Sequence, residues 1–304
     1  MKKIMVIGSL NMDLVAKVEK MPRVGETIFG STFKQIPGGK GANQAAAGAR
    51  LGGCIRMLGS VGEDGFGDVL IQSLQKDGVN IDGISRAKEA PTGTALIVVD
   101  GNGDNSIVVI SGANFHITEQ DIDFAMDKME SCEIVVLQLE VPLNIVRYAL
   151  KKAKALGKYT ILNPAPAVAL DQEIIENVDL LIPNETELEI LSGVGIHTEE
   201  DILQGARIMM EKGVKELIVT LGERGCVYVS DQTMKQYPAY KVHAVDTTAA
   251  GDSFTAAIAV GLSENKKIEE IIDFAMKVGA LTVTKEGAQS SLPYRNEVEN
   301  FKGE

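Results

Sequence analysis

Tryptophan is absent from this 304-residue chain, and aromatic residues make up only 5% of it. The core must therefore be built from Ile, Val, Leu, Ala and Met, and few residues remain for a large aromatic pocket. Cysteine is scarce: Cys54, Cys132 and Cys226 are far apart and odd in number. That excludes a disulfide framework and fits reduced core thiols in a cytoplasmic protein. None of the three lies in a polar motif that would suggest a catalytic cysteine. The three histidines, His116, His197 and His243, show no metal-ligand spacing, and no Ser-His-Asp or Cys-His arrangement can be argued from them; they read as surface or loop residues. Positive charge is also in deficit, with a formal net charge of −12. Non-specific nucleic-acid binding needs clustered Lys and Arg, so it is excluded, whereas a nucleotide can still be held locally by backbone amides. No apolar run approaches the length of a membrane span. The opening MKKIMVIGSL is too brief for a signal peptide and no small-residue cleavage site follows; it reads as a buried first strand. The chain lacks internal repeats, low-complexity tracts and long linkers. It also lacks both G-x-x-x-x-G-K-[ST] and G-x-G-x-x-G, so neither a P-loop nor a dinucleotide fingerprint is present.

What is there is alternation. Strand-like runs at Ile4–Gly8, Ile55–Val61, Ile134–Glu140, Tyr159–Asn163, Leu180–Pro183, Glu216–Gly222 and Cys226–Ser230 are separated by helical stretches such as Leu143–Leu156 and Glu199–Lys212. Continuous Ile/Val/Leu strands between helices predict a doubly wound α/β fold: a mostly parallel sheet with helices on both faces. We expect one α/β unit over residues 1–304. Two segments break the pattern. Residues 12–36 mix polar and apolar character, and residues 92–111 read as two strands joined by Gly-Asn-Gly-Asp, a hairpin signal. A small accessory β-sheet formed from both is expected; the alternative is an antiparallel edge on the main sheet.

Four groups of residues can carry chemistry. Gly38-Gly39-Lys40-Gly41-Ala42-Asn43-Gln44-Ala45 opens a helix of small residues, where glycines let a ligand approach the backbone and the helix N-terminus offers free N–H groups. Asp246-Thr247-Thr248-Ala249-Ala250-Gly251-Asp252-Ser253-Phe254 leads into a second helix starting near Ala250. Its small residues leave the first amides uncovered, an anion hole suited to a transferring phosphoryl group. Asp252 falls in the first turn, where a mere capping role is the competing explanation. Thirdly, Asn11 and Asp13, Glu140, Asn184 to Glu187, and Thr220 to Gly225 all follow strand ends, the edge at which open α/β sheets bind ligands. Asn184 alone also reads as a helix cap. Finally, Lys285-Glu286-Gly287-Ala288-Gln289-Ser290-Ser291 is either an ordinary helix-ending loop or a loop whose carbonyls coordinate a hard cation.

Taken together, GGKGANQA, DTTAAGDSF, N-M-D, Q-L-E, N-P-A-P, P-N-E-T-E, T-L-G-x-x-G and K-E-G-A-Q-S-S occur in an order that resembles the ribokinase-type carbohydrate kinases over nearly the whole chain. The resemblance implies ATP-dependent phosphorylation of D-ribose at its 5-hydroxyl. It implies Asp252 as base, with Ala249, Ala250 and Gly251 completing the anion hole. Asn11, Asp13, Gly39, Lys40, Gly41, Asn43 and Glu140 would hold the sugar. Asn184, Thr220, Gly222, Gly225, Gly251 and Met276 would face ATP. Glu187 would tune Mg²⁺, and Asp246, Thr248, Thr282, Lys285, Gly287 and Ser291 would hold a monovalent cation, K⁺. The accessory sheet would be a lid over the sugar that pairs with its twin to make a homodimer. Met276 departs from the Asn or His common in that family near the nucleotide base. Two other readings stay open: a kinase of another sugar or nucleoside (fructose, 2-deoxyribose), and a non-catalytic sugar sensor on the same fold, against which the intact Ala-Ala-Gly-Asp run speaks.

Overall fold

The computed structural model describes residues 2–303, and the backbone alone over 126–130. Thus the extreme residues of the 1–304 unit lie outside the described residues. Among the described residues there are thirteen strands: β1 Lys3–Ile7, β2 Asn11–Val18, β3 Gly30–Gly38, β4 Cys54–Gly62, β5 Asn80–Ala87, β6 Gly93–Val99, β7 Asn105–Ile110, β8 Ile134–Leu137, β9 Tyr159–Leu162, β10 Leu180–Leu181, β11 Glu216–Thr220, β12 Cys226–Ser230 and β13 Met234–Tyr237. The helices are α1 Lys40–Arg50, α2 Gly65–Lys76, α3 Glu119–Glu130, α4 Leu143–Ala155, α5 Gln172–Ile175, α6 Glu185–Ser192, α7 Glu199–Glu211, α8 Ala250–Ser263, α9 Ile268–Val283 and α10 Arg295–Asn300.

Nine strands form one sheet in the order β13-β12-β11-β10-β9-β8-β1-β4-β5. Pairing is parallel from β5 through to β11. Side chains of a strand alternate between faces, and this sheet is covered on both. Ile4 and Val6 of β1, with Ile134 and Val136 of β8, join the core under α1, α8 and α9. Met5 and Ile7, with Val135 and Leu137, join the core under α4 and α7. That two-sided burial is why these strands are nearly pure Ile and Val.

The structure departs from the sequence expectation at the edge. The run Cys226–Ser230 pairs antiparallel with β11, and β13 pairs antiparallel with it in turn. The connection Leu221–Gly225 is a short turn containing a 3₁₀ stretch, too short for the crossover helix a parallel neighbour needs. Two edge strands, β5 and β13, carry mixed or polar sequences and were not expected.

Segments 12–36 and 92–111 supply the second sheet, whose order is β3-β2-β6-β7. β2 pairs antiparallel with β3 and parallel with β6, and β6 forms the hairpin with β7. Phe33, Leu96, Ile107, Val108, Val109 and Ile110 are exposed on this sheet.

The chain runs from β1 to β4 on one side and then returns to β8 on the other. The strand order reverses there, which opens a crevice at the C-terminal ends of β1 and β8.

Candidate active site

Three turns meet at that crevice. The β1–β2 turn and the β3–α1 turn are locked backbone to backbone, and the stretch after β8 joins them through a side chain. Gly39 has φ +88°, and a Cβ there would stand 2.7 Å from Asn11 N. A Cβ on Gly41 would stand 2.6 Å from the carbonyl carbon of Gly8. Glycine is required at both because another main chain occupies the space a side chain would need. Glu140 fastens the third piece: its Oε2 accepts from Ser9 Oγ at 2.5 Å and from Lys40 N at 3.1 Å.

The sequence-expected sugar residues converge here. Asn11 is buried, and its Oδ1 accepts from Asn114 Nδ2 at 2.7 Å. Asn114, buried in the 3₁₀ turn 112–116, also bonds both backbone groups of Leu10; it carried no motif signal. Asp13 packs against Gly38, where a Cβ would come within 2.3 Å of its carboxylate. Asp13 is raised from 3.8 to about 7, first by burial and then by Glu140 and Asp252. The Lys40 ammonium lies among those carboxylates. Asp252 is the largest influence raising its pKa, burial opposes the rise, and Glu140 and Glu187 add to it. One cation thus faces several buried acids, an arrangement that holds negative charge in place for a reaction.

Asp252 sits in the first turn of α8 and is 5% exposed. Its Oδ2 accepts from Asn43 Nδ2 at 3.0 Å and its Oδ1 from Gln44 Nε2 at 3.1 Å. It is therefore tied to the neighbouring helix α1, which a simple capping residue would not be. Asn43 Oδ1 is buried without a hydrogen-bond partner among the described residues. Ahead of Asp252, Ala249 adopts the left-handed conformation at φ 60°. Gly251 is open, with nothing within 4 Å of where a Cβ would lie. The N–H groups of Gly251 and Asp252 have no helical carbonyl behind them, so bare amides and a helix dipole meet at one point.

Along the same edge, Asn184 caps α6 in a reciprocal capping box with Glu187. Asn184 Oδ1 accepts from Glu187 N, and Glu187 Oε2 accepts from Asn184 N, both at 2.8 Å. Burial raises Glu187; the bond from Asn184 and the charge of Lys40 oppose that, and Asp252 adds to it. Glu187 is therefore electrostatically part of the same centre. Thr220 bridges Asn184 in parallel fashion. Gly222 and Gly225 both have positive φ, and a Cβ on Gly225 would collide with Tyr237 O. Met276 lies on α9, 8% exposed, within the hydrophobic core.

The remaining expected cation ligands form a loop beside α8. Asp246 Oδ1 accepts from Thr248 N at 2.9 Å and from Thr248 Oγ1 at 2.7 Å, and Oδ2 accepts from Gly287 N at 2.8 Å. Burial pushes the Asp246 carboxyl up, but these bonds outweigh it and the net direction is down. The Thr282 carbonyl accepts from Lys285 N, Lys285 Nζ pairs with Glu297, and Ser291 Oγ donates to Ala288 O. Asp246 holds this loop together by its own hydrogen bonds, and its carboxylate retains lone pairs beyond those used. The donors are all oxygens, which fits a hard monovalent cation. Among the described residues no group of three His, Cys, Asp or Glu could hold a metal.

Three residues missed in the sequence complete the floor. Gln44, Gln138 and Asn163 lie inside quoted motifs, yet only the fold shows Gln138 and Asn163 meeting at Gln44, which bonds Asp252.

This geometry has relatives. The model of the "pfkB family carbohydrate kinase" matches residues 1–295. The chain is 39% identical over 298 residues to a ribokinase of Staphylococcus aureus, covering 97% of this chain and 98% of that one. It is 40% identical over 291 residues to a deoxyribokinase of Salmonella typhi, covering 95% of each. The structure of an Arabidopsis thaliana ribokinase complexed with ribose and ATP superposes with a TM-score of 0.92 at 34% identity, over 99% of both chains. The crevice, its buried aspartate and the exposed amides of α8 are those of a chain that belongs to the pfkB family of carbohydrate kinases.

Proposed function

We propose that this protein transfers the γ-phosphoryl group of ATP to the 5-hydroxyl of D-ribose. The observation that carries the reading is Asp252: a buried carboxylate held by two side-chain amides at the bare N-terminus of α8. The sugar hydroxyls would lie among Asn11, Asp13, Gly39, Lys40, Gly41, Asn43 and Glu140. Asp252 takes the 5-hydroxyl proton as the new O–P bond forms and the bridging O–P bond to ADP breaks. The amides of Gly251 and Asp252 and the Lys40 ammonium meet the charge that develops on the phosphoryl oxygens, while the Ala250 N–H donates to Thr247 O at 3.2 Å. Mg²⁺, when bound with the nucleotide, would neutralise phosphate charge near Glu187.

Asn184, Thr220, Gly222 and Gly225 line up along the same sheet edge, which supports their assignment to the nucleotide; Met276, on α9 in the core, is assigned there by the family resemblance. The oxygen-rich loop of Asp246, Thr248, Thr282, Lys285, Gly287 and Ser291 supports a K⁺ site that would fix the 246–251 backbone. The second sheet would act as the lid, and its exposed apolar strands support pairing with a second copy as a homodimer. Three free cysteines, two of them buried, support a reducing, cytoplasmic setting. No helix among the described residues is long and apolar enough to cross a membrane.

A second reading, 2-deoxyribose as acceptor, is favoured by the equal likeness to the deoxyribokinase. Polar groups left unpaired by a missing 2-hydroxyl would penalise the deoxy sugar, and buried Asn43 Oδ1, without a partner among the described residues, is available to take a sugar hydroxyl. ADP release measured across a panel of sugars decides: ribose is expected to give the higher kcat/KM, and equal values or a deoxyribose preference would overturn the ribose assignment.

A further inference from the structure

Asp252 is held by a chain of amides that runs from α1 to the ends of β8 and β9. Gln138, just past β8, donates from Nε2 to Gln44 Oε1 at 2.6 Å. Gln44 Nε2 in turn reaches Asp252 Oδ1 at 3.1 Å and Asn163 Oδ1 at 3.2 Å. Asn163, just past β9, is anchored by its Nδ2 on Ile182 O at 3.0 Å. Gln44 is 1% exposed and Gln138 is fully buried. Gln138 is also wedged against β1, since a Cβ on Gly8 would fall 2.0 Å from its Oε1.

The direction of these bonds matters. A primary amide presents one accepting oxygen and one donating nitrogen. Because Gln138 donates to the Gln44 oxygen, the Gln44 nitrogen must face Asp252. The reversed amide would set an oxygen against a carboxylate, which only accepts. The Gln44 amide is bonded at both ends, and a buried amide so bonded keeps one orientation; Gln138 Oε1 has no hydrogen-bond partner among the described residues.

We propose that Gln44, oriented by Gln138, is a positioning residue that aims the Asp252 carboxylate at the sugar hydroxyl. This rests on the reading of Asp252 as the base. Both ends of the Gln44 amide are spent within the protein, so Gln44 acts through Asp252 and leaves sugar affinity alone. Its loss therefore reaches kcat and spares KM.

The test is a double-mutant cycle on the full-length protein, with thermal melting to establish folding. Gln44→Met keeps the volume and removes the donor. It is expected to lower kcat by about 10- to 100-fold, the range a misplaced reacting group costs, with KM for ribose and ATP nearly unchanged. In an Asp252→Asn background, where no base remains to be aimed, the same substitution is expected to change kcat by less than about threefold. Gln138→Met should follow the same pattern with a smaller loss, and it carries the cycle if Gln44→Met does not fold. Equal losses in both backgrounds would reduce Gln44 to packing, and a loss confined to KM would place it at the sugar; either overturns the proposal. If Asp252→Asn itself keeps full kcat, the base assignment falls, a separate result read from the single variant.

Discussion

Asp13 stores a cost that pH can release. Its carboxyl rises from 3.8 to about 7 in the folded protein, through burial first and then through Glu140 and Asp252. A carboxyl whose folded pKa is raised destabilises the fold once it must ionise. Below the unfolded pKa both states are protonated and there is no penalty. The penalty grows as pH rises through the interval and is complete above the folded pKa. A rise of that size corresponds to about 4 kcal/mol near pH 8 and about 2 kcal/mol near pH 5. Asp13→Asn removes the titration while nearly preserving shape. Any change it makes in packing is the same at both pH values, so the difference between them isolates the charge. Urea unfolding of both proteins at about pH 5 and about pH 8 is therefore expected to show the variant gaining about 2 kcal/mol more at the higher pH. The same variant should bind ribose more weakly, since the acid faces the sugar crevice. An advantage independent of pH, or one larger at low pH, would refute the assignment of a buried acid that folds at a penalty.

Asp252→Asn is expected to retain ribose affinity by calorimetry and to lose about 10²- to 10⁴-fold in kcat; near-normal turnover would leave Asp252 as a cap. Gly41→Ala puts a methyl against the Gly8 backbone at 2.6 Å and should destabilise by about 1–3 kcal/mol in chemical denaturation, with KM for ribose raised. Turnover in K⁺, Cs⁺ and Na⁺ at constant ionic strength should differ mainly in kcat; identical rates in all three and in a bulky organic cation would leave Asp246 only its hydrogen-bonding role. Amide exchange over 12–36 and 92–111 should slow on adding ribose, and no change there would count against a lid.

Much of this was legible because some sequence runs have few structural uses. The runs at Gly38–Ala45 and Ala249–Asp252 spend small residues where a helix gains nothing from them, and both lie where the crevice forms. Gln44 was not legible, because its partner Asp252 is 208 positions away and nothing local distinguishes it from any buried polar residue. Gln138 and Asn163 share that difficulty, as does Asn114. Strand direction was hidden as well: an apolar run such as Cys226–Ser230 has the same periodicity in parallel and antiparallel sheets. The brief Leu221–Gly225 link was the available clue. Edge strands β5 and β13 bury little, so their polar sequences carried no strand signal. For Asn184 the helix-cap reading held: it forms a reciprocal capping box with Glu187.

The locked turns at Gly39 and Gly41 have a mechanical consequence. Asn11 opens β2 and pairs with Gly38, the last residue of β3. The second sheet is thus cantilevered from the sugar crevice itself, with no flexible stalk between them. A nine-residue strand such as β3 is about 30 Å long, so a rotation of about 10° at Asn11 would swing its far end by about 5 Å. Read in reverse, a load on the outer edge of that sheet would be geared down to sub-ångström adjustments of Asn11 and Asp13. Lengthening or shortening β2 and β3 would change that leverage, and with it the fit of the sugar, without altering any residue in the crevice.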